Sequence, residues 1–269
     1  MSDLEAVVAA VARSKKYRHV CPTTVRRIAA RELAHRRSVK EAAKATKRRL
    51  HQVYGAFEEG VDTEALYRRL EAAYHSGSAV EIEAACREGL AAHSSTRERL
   101  PVVGAFYAAL WQVTGRPGTL LDVGCGLNPL ALPWMGLAAG AQYHALDIDC
   151  RRIEFLNRFL ALAGLAPLAR CHDVLVEPPQ EAADVALLLK TSPSLERQEA
   201  GATPHLVNRL RAPYVVVSFA VQSLGGRDKG MAAHYRRQFE RWAGERAWEV
   251  ERLSFDSELV FVVRVKRET

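Results

Sequence analysis

The chain of 269 residues is 48% hydrophobic and 26% charged with a net charge of +7, a balance that fits a globular protein. It is long enough for one α/β domain with a smaller domain appended. No apolar run approaches the roughly 20 residues of a membrane span, and residues 1 to 5 lack a signal-peptide core. Composition therefore argues against a membrane partner and predicts a cytoplasmic protein.

Residues 1 to 93 are predicted to be almost entirely helical. Thr23 or Thr24 is placed to cap a helix that runs to about His35, and Ser38 with Glu41 forms a capping box for the next helix. Later helices are expected to begin at residue 62 or 63 and to span about 80 to 92 and 100 to 114.

The excess positive charge lies in the first fifth of the chain. Residues 1 to 52 hold 14 Lys and Arg against 4 Asp and Glu, a net +10, so the remaining 217 residues carry −3. Such asymmetry suggests nucleic acid as the partner, although a solvated helical face is the simpler alternative. Lys40, Lys44 and Lys47 share one helix face and are expected to contact phosphates. The candidate RNA-binding residues are Arg13, Lys15, Lys16, Lys40, Lys44, Lys47 and Arg48.

From residue 119 onward, predicted strands and helices alternate. This alternation predicts a parallel sheet with right-handed crossovers, to which a closing hairpin adds an antiparallel strand. The expected domains are a basic helical domain over 1–93 and an α/β domain over 94–269. The predicted strands are 119–123, 142–147, 168–172, 184–189 and 213–219, followed by the hairpin strands 247–254 and 258–265.

The most informative motif is the strand and glycine turn at residues 119–126, TLLDVGCG. The next predicted strand ends at Asp147. A strand, a glycine turn, a helix and a strand that ends in an acid form a dinucleotide-type grip, in which the acid binds ribose hydroxyls. The turn lacks the GxGxxG pattern that cradles a pyrophosphate. It therefore suits S-adenosylmethionine (SAM), which carries adenosine and an amino-acid tail but no phosphate.

Other chemistries find no support in the sequence. No Ser-His-Asp arrangement is spaced convincingly, and residues 190–193 read KTSP where an adenine-N6 methyltransferase needs (N/D)PP(Y/F). Cys125 is expected to fill space beside the cofactor, and no metal is expected at Cys171 and His172.

The cysteines are odd in number and lack CxxC spacing, which predicts reduced thiols. They are Cys21, Cys86, Cys125, Cys150 and Cys171.

Several segments together resemble a known family over about residues 13 to 265. The chain is similar to the aminoglycoside-resistance 16S ribosomal RNA (guanine-N7) methyltransferases, the Arm/Rmt/Sgm group with guanine(1405) as target. The segments are KRRLHQVYGAF at 47–57, HSSTRERLP at 93–101, GCGLNPL at 124–130, LKTSPSLERQ at 189–198, SF at 218–219 and SLGGRDKGM at 223–231.

The resemblance implies a Rossmann-like class I methyltransferase domain that binds SAM and an all-α domain that docks on the 30S subunit. The implied target is a guanine in the decoding-site helix, whose methylation blocks 4,6-disubstituted deoxystreptamine drugs. Lys190, Glu196, Arg197 and Met231 match positions for activity or target positioning. The implied cofactor contacts are Phe57, His93, Ser94, Ser95, Arg99, Gly124, Asp147, Asp173, Val174, Leu189 and Gln198.

The sequence departs from the family pattern at Ser192, Ser194 and Gln222, the last of which replaces a common lysine. Two alternative functions stay open. One is another RNA methyltransferase of this fold, such as a decoding-site adenine-N1 enzyme, and the other is a catalytically silent SAM- or RNA-binding protein. Single residues have structural alternatives too, such as an ion pair for Arg99 or a surface position for Lys190.

Overall fold

The computed structural model describes residues 2 to 55, 62 to 221 and 231 to 265. Among these residues, every helix is too short or too polar to cross a membrane. The predicted Phe57 contact and the departure at Gln222 lie outside the described residues.

A seven-stranded sheet forms the centre of the fold. Its strands are β1 Thr119–Val123, β2 Gln142–Asp147, β3 Ala169–Cys171, β4 Val185–Leu189, β5 Tyr214–Ala220, β6 Glu249–Phe255 and β7 Glu258–Arg264. Their order is β3-β2-β1-β4-β5-β7-β6, with β1 to β5 parallel and β7 antiparallel to both β5 and β6. The predicted alternation and closing hairpin are confirmed. Every residue of β4 is buried, as expected of a central parallel strand with both faces covered.

Helices cover the sheet and form the N-terminal layer. They are α1 Asp3–Ala12, α2 Pro22–Leu33, α3 Val39–Leu50, α4 Thr63–Ser76, α5 Ala79–Ala91, α6 Ser94–Arg97, α7 Val103–Thr114, α8 Leu132–Met135, α9 Cys150–Leu162, α10 Ser192–Gln198, α11 Ala202–Arg209 and α12 Met231–Arg246. Ser38 accepts the Glu41 N–H, and Asp62 accepts the N–H groups that begin α4, as predicted. The predicted cap at Thr23 or Thr24 is wrong. Cys21 is the N-cap, because Pro22 is suited to the first helical position.

The helical segment contributes to two different cores. Helices α1, α2 and α3 pack on one another through small clusters that include Val7, Val11 and Leu50. In contrast, Leu70 of α4 and Leu90 of α5 belong to the same buried cluster as the central strands. The boundary at residue 93 stays a prediction, but the self-contained packing of the basic segment ends near residue 54.

We name α1, α2 and α3, with the residues up to Tyr54, the helical layer. This layer rests on the carboxyl ends of β2 and β3. The Cys21 N–H donates to the Ile148 carbonyl at 2.7 Å, and the Cys150 N–H donates to the His19 carbonyl at 2.9 Å. The Tyr54 hydroxyl contacts the Asp149 carboxylate at 3.4 Å. The layer therefore covers the edge of the sheet where ligands of open α/β folds bind.

The prediction of reduced thiols is wrong for one pair, because Cys150 and Cys171 form a disulfide. Cys150 begins α9 after β2, and Cys171 ends β3. Parallel pairing sets Asp147 opposite Cys171 and leaves the two cysteine Cα atoms 5.0 Å apart. Strand register, which sequence spacing does not reveal, creates this pair. Cys21, Cys86 and Cys125 are buried free thiols.

Candidate active site

The glycine turn after β1 is tightly constrained. Gly124 and Gly126 have positive φ angles of 65° and 54°. The N–H groups of Gly124 and Cys125 both donate to the Leu146 carbonyl, at 2.7 and 3.0 Å. A Cβ atom on Gly124 would lie only 2.7 Å from Cγ2 of Thr191. Glycine is therefore required here by both the backbone conformation and the neighbouring side chain.

Asp147 holds the second half of the turn at the end of β2. Its carboxylate accepts the N–H groups of Gly126 and Asp149, both at 2.9 Å, and lies 3.4 Å from the Arg152 guanidinium. Burial disfavours the charge of Arg152, but Asp147 and Asp149 together raise its pKa. The Asp147 carboxylate is therefore held in one orientation at the turn.

A cavity of about 890 Å³, including its open mouth, lies over the glycine turn. Of the predicted cofactor residues, it is lined by His93, Ser95, Gly124, Asp147, Asp173, Val174, Leu189 and Gln198, together with Lys190. Ser94 and Arg99 do not line it. Residues outside the predicted cofactor contacts also line it, namely Thr24, Arg27, Val53 and Tyr54 from the helical layer and Gly126, Arg152, Thr191 and Leu195 from the sheet domain.

Arg99 forms an ion pair behind the cavity. Its guanidinium donates to both carboxylate oxygens of Glu258, at 2.9 and 2.7 Å, and to Asn128 at 2.9 Å. Glu258 is fully buried at the start of β7, and Arg99 is 3% exposed. This geometry agrees with the alternative in which Arg99 forms an ion pair. The predicted contact between Arg99 and the cofactor stays a prediction.

Lys190 follows β4 with a positive φ of 57°, which is unusual for a residue with a side chain. Its ammonium donates to Glu98 at 2.6 Å and to the Ser95 carbonyl at 3.1 Å, and it lies 3.6 Å from Glu258. The side chain is only 7% exposed. Lys190 is therefore a buried, neutralised cation at the cavity wall and not a surface lysine.

A buried polar network underlies the turn. Asp122 accepts hydrogen bonds from Tyr143 at 2.7 Å and from Asn128 at 2.9 Å. Burial raises the pKa of Asp122 to about 6, although these two hydrogen bonds and the nearby Arg99 lower it. Since the folded state binds this proton more tightly than the unfolded state does, Asp122 stabilises the fold below its ordinary pKa. That stabilisation is lost as the pH rises through about 6.

Replacing Asp122 by Asn is expected to remove this pH dependence. Urea unfolding of both proteins from about pH 4 to pH 7 would measure it. The free energy of unfolding of the wild type should decline relative to that of Asp122→Asn as the pH rises. Parallel curves of unfolding free energy against pH for the two proteins would contradict the raised pKa of Asp122.

The remaining predicted catalytic residues lie outside the cavity lining. Glu196 accepts the N–H groups of Gly201 and Thr203, at 2.8 and 2.7 Å, and so caps α11. Arg197 is exposed, and Met231 is half-buried at the start of α12. The departure at Ser192 has a local reason, because its hydroxyl shares a 2.8 Å hydrogen bond with buried Thr203. Ser194 lines the cavity.

A second, smaller cleft of about 420 Å³ adjoins the cavity and is rich in arginine. Arg27 and Arg49 face the carboxylates of Asp173 and Glu32. The other two arginines bind backbone carbonyls: Arg31 that of Gln198 at 2.8 Å, and Arg197 that of Gln52 at 3.3 Å. Within the described parts of the chain, neither Arg31 nor Arg197 pairs with a carboxylate. We name these residues, Arg27, Arg31, Arg49 and Arg197, the arginine cleft.

The predicted RNA-binding side chains lie largely at the surface. Lys47 is half-buried, and the Lys16 ammonium contacts the His51 ring at 3.2 Å. The exposed members are Arg13, Lys15, Lys16, Lys40, Lys44 and Arg48. They therefore extend the positive charge beyond the arginine cleft over the helical layer.

Comparison with known proteins shows which family has this architecture. A family model described as ribosomal RNA methyltransferase (FmrO) matches residues 13–262. The chain is 45% identical over 258 residues to a 16S rRNA (guanine(1405)-N(7))-methyltransferase of Frankia casuarinae, covering 94% of this chain and 91% of the relative. It is 41% identical over 264 residues to a protein of the same name from Micromonospora echinospora, covering 97% and 96%.

Solved structures agree with the sequence relatives. The 16S rRNA methyltransferase RmtF, in complex with S-adenosyl-L-homocysteine, superposes with a TM-score of 0.83 at 36% identity and covers 99% of both chains. The 16S rRNA methylase RmtB gives a TM-score of 0.80 at 31% identity over 98% of both chains. The glycine turn, the acid at the end of β2, the strand order and these matches agree, and the chain belongs to the FmrO family of ribosomal RNA methyltransferases.

Proposed function

We propose that the protein transfers a methyl group from SAM to N7 of a guanine in the decoding-site helix of 16S rRNA, within the 30S subunit. Through this modification it confers resistance to 4,6-disubstituted deoxystreptamine aminoglycosides. The observation that carries the proposal is the adjacency of the two concave sites. The cavity over the glycine turn and the arginine cleft share Arg27, Val53 and Gln198 as walls.

The cavity fits a nucleoside with an amino-acid tail. The glycine turn lets the backbone approach the ligand, and Asp147 would bind the ribose hydroxyls. Asp173 would accept a hydrogen bond from the adenine. The apolar side chains of Val174 and Leu189 line the same cavity and would pack against the base. When bound, SAM supplies a methyl group on a cationic sulfonium.

The chemistry requires positioning and no general base. Guanine N7 has an in-plane lone pair, so it attacks the methyl group without prior loss of a proton, and catalysis depends on in-line alignment. Positive charge moves onto the purine during this step. Lys190, which faces Glu98 and Glu258, adds no uncompensated cation there. Burial raises the pKa of the Cys125 thiol well above its ordinary value, so this residue is no nucleophile.

The arginine cleft is suited to the RNA backbone because guanidinium groups bind phosphates. In a variant with Arg31→Ala and Arg197→Ala, we expect weaker binding to 30S subunits. The slope of log K for 30S binding against log salt concentration should become shallower by about 0.7 to 0.9 for each phosphate that the variant no longer binds. The affinity for S-adenosylhomocysteine should change much less, because neither side chain lines the cofactor cavity. Arg209→Ala, at an exposed position of α11, is the control, and equal salt slopes in all three proteins would contradict the assignment.

Methyl transfer to purified 30S subunits tests the proposed function. Labelled SAM would report transfer, and chemical cleavage at N7-methylguanine would map it. A single N7-methylguanine in the decoding-site helix is the expected result. Methylation of another base would overturn the target, and SAM binding without transfer would favour a silent binding protein. Protein-free 16S RNA serves as the comparison, and we expect little methylation of it because the layer of basic helices recognises a folded surface.

A further inference from the structure

Arg27 of the helical layer contacts two side chains of the sheet domain across the cofactor cavity. Arg27 of α2 donates through Nε to Asp173 at 2.9 Å and through Nη2 to Gln198 at 2.8 Å. The side chain of Arg27 is 21% exposed and that of Asp173 only 3%. All three residues line the cavity. The guanidinium of Arg27, which belongs to the helical layer, thus fixes two polar side chains of the sheet domain.

The orientation of Asp173 depends on this contact. Its Oδ1 accepts the N–H of Leu175 at 3.0 Å, while its Oδ2 faces Arg27. Two donors therefore fix the carboxylate in one rotamer, and each oxygen keeps acceptor capacity for a further donor. Gln198 is fixed in the same way, since its Nε2 donates to the Ser194 carbonyl at 3.3 Å and its Oε1 accepts from Arg27.

We propose that Arg27 is a positioning residue that makes the cofactor site selective for adenine. This inference rests on the proposed function. Held by Arg27, the Asp173 carboxylate accepts a hydrogen bond from the exocyclic amino group of adenine. A purine with an oxygen at that position presents an acceptor to the same carboxylate and is repelled. Without Arg27, the carboxylate has one fixed donor and loses its defined direction.

The neighbouring residue offers a matched control. Arg26, on the same helix, pairs with Glu5 at the surface, where both side chains are about half exposed (55% and 45%). Removal of its charge changes the net charge of the helical layer as much as removal of Arg27 does. It leaves the contacts between the layers unchanged, so it separates a general charge effect from the contact with Asp173.

Calorimetric titration with S-adenosylhomocysteine and with its deaminated analogue, S-inosylhomocysteine, tests the proposal. Wild type and Arg26→Met should prefer the adenosyl compound by about tenfold or more. Arg27→Met should lose most of that preference, mainly through weaker binding of the adenosyl compound. Arg27→Lys keeps a charge for Asp173 but cannot also reach Gln198, so it should restore part of the preference.

The outcomes separate the two proposals. If Arg27→Met weakens both ligands equally, Arg27 is a structural link between the layers and the selectivity role is wrong. If it changes neither affinity, the contact is irrelevant to the cofactor. If wild type binds neither compound, the proposed function itself fails. Should Arg27→Met not fold, as judged by thermal unfolding, the ratio of affinities in Arg27→Lys decides, and an unchanged wild-type ratio would overturn the proposal.

Discussion

In methyl-transfer assays, Gly124→Ala is expected to be slower than wild type by on the order of a hundredfold. The left-handed backbone of Gly124 costs an L-residue about 1 to 2 kcal/mol. The new Cβ would also lie 2.7 Å from Cγ2 and 2.8 Å from Oγ1 of Thr191. Thr191 cannot turn aside freely, because its hydroxyl donates to the Val123 carbonyl at 3.1 Å. The loss should appear mainly as weaker binding of S-adenosylhomocysteine in calorimetry.

Gly164→Ala is the matched control for this variant. Gly164 has a similar positive φ of 77°, but no heavy atom lies within 4 Å of the position of a Cβ. Both variants should therefore carry the backbone cost, visible as a lower midpoint of thermal unfolding. Only Gly124→Ala should lose cofactor affinity. Wild-type affinity in Gly124→Ala would show that the turn is not the cofactor cradle.

Glu258→Ala is expected to lower the free energy of unfolding by about 3 to 5 kcal/mol, as measured by urea denaturation at neutral pH. Glu258 is fully buried and binds Arg99 through two hydrogen bonds and Ser218 through a third. Its removal leaves the buried guanidinium of Arg99 without its ion-pair partner. Asp256→Ala, exposed in the same hairpin, should change the stability by no more than about 0.5 kcal/mol. An unchanged urea midpoint in Glu258→Ala would contradict the argument.

The contribution of Glu258 to stability depends on pH in the opposite direction to that of Asp122. Burial alone would raise the pKa of Glu258, but Arg99 and Lys190, with hydrogen bonds from Arg99 and Ser218, bring it below its ordinary value. Its stabilisation is therefore present above that ordinary value and is lost as the pH falls through the folded-state pKa. Glu258→Gln should accordingly lose less stability on acidification than wild type does.

Local patterns were sufficient to predict the central fold. The apolar run of β4, the glycine turn at Gly124 and the acid Asp147 each carry their signal within a few residues. The strands follow from alternation, and the antiparallel hairpin follows from its turn at residues 255–258. The same local character explains the error at Thr23 and Thr24, where a proline outweighed a hydroxyl cap.

Contacts between distant segments could not be predicted. The partner of Arg99 lies 159 residues further along the chain, and that of Arg27 lies 146 residues away. Neither pair leaves a periodic or spaced pattern, because tertiary packing alone brings them together. The disulfide between Cys150 and Cys171 has the same origin in strand register. The contacts that join the helical layer to the site were therefore not predictable from the sequence.

The shared wall of the cavity bears on how members of this family can be recombined. Val53 and Tyr54 line the cavity from the helical layer, and Arg27 joins that layer to the opposite wall. A chimaera that takes its N-terminal segment from a relative also exchanges these cofactor-facing side chains. The two parts of the chain are consequently not interchangeable modules, and divergence in one constrains which changes the other tolerates.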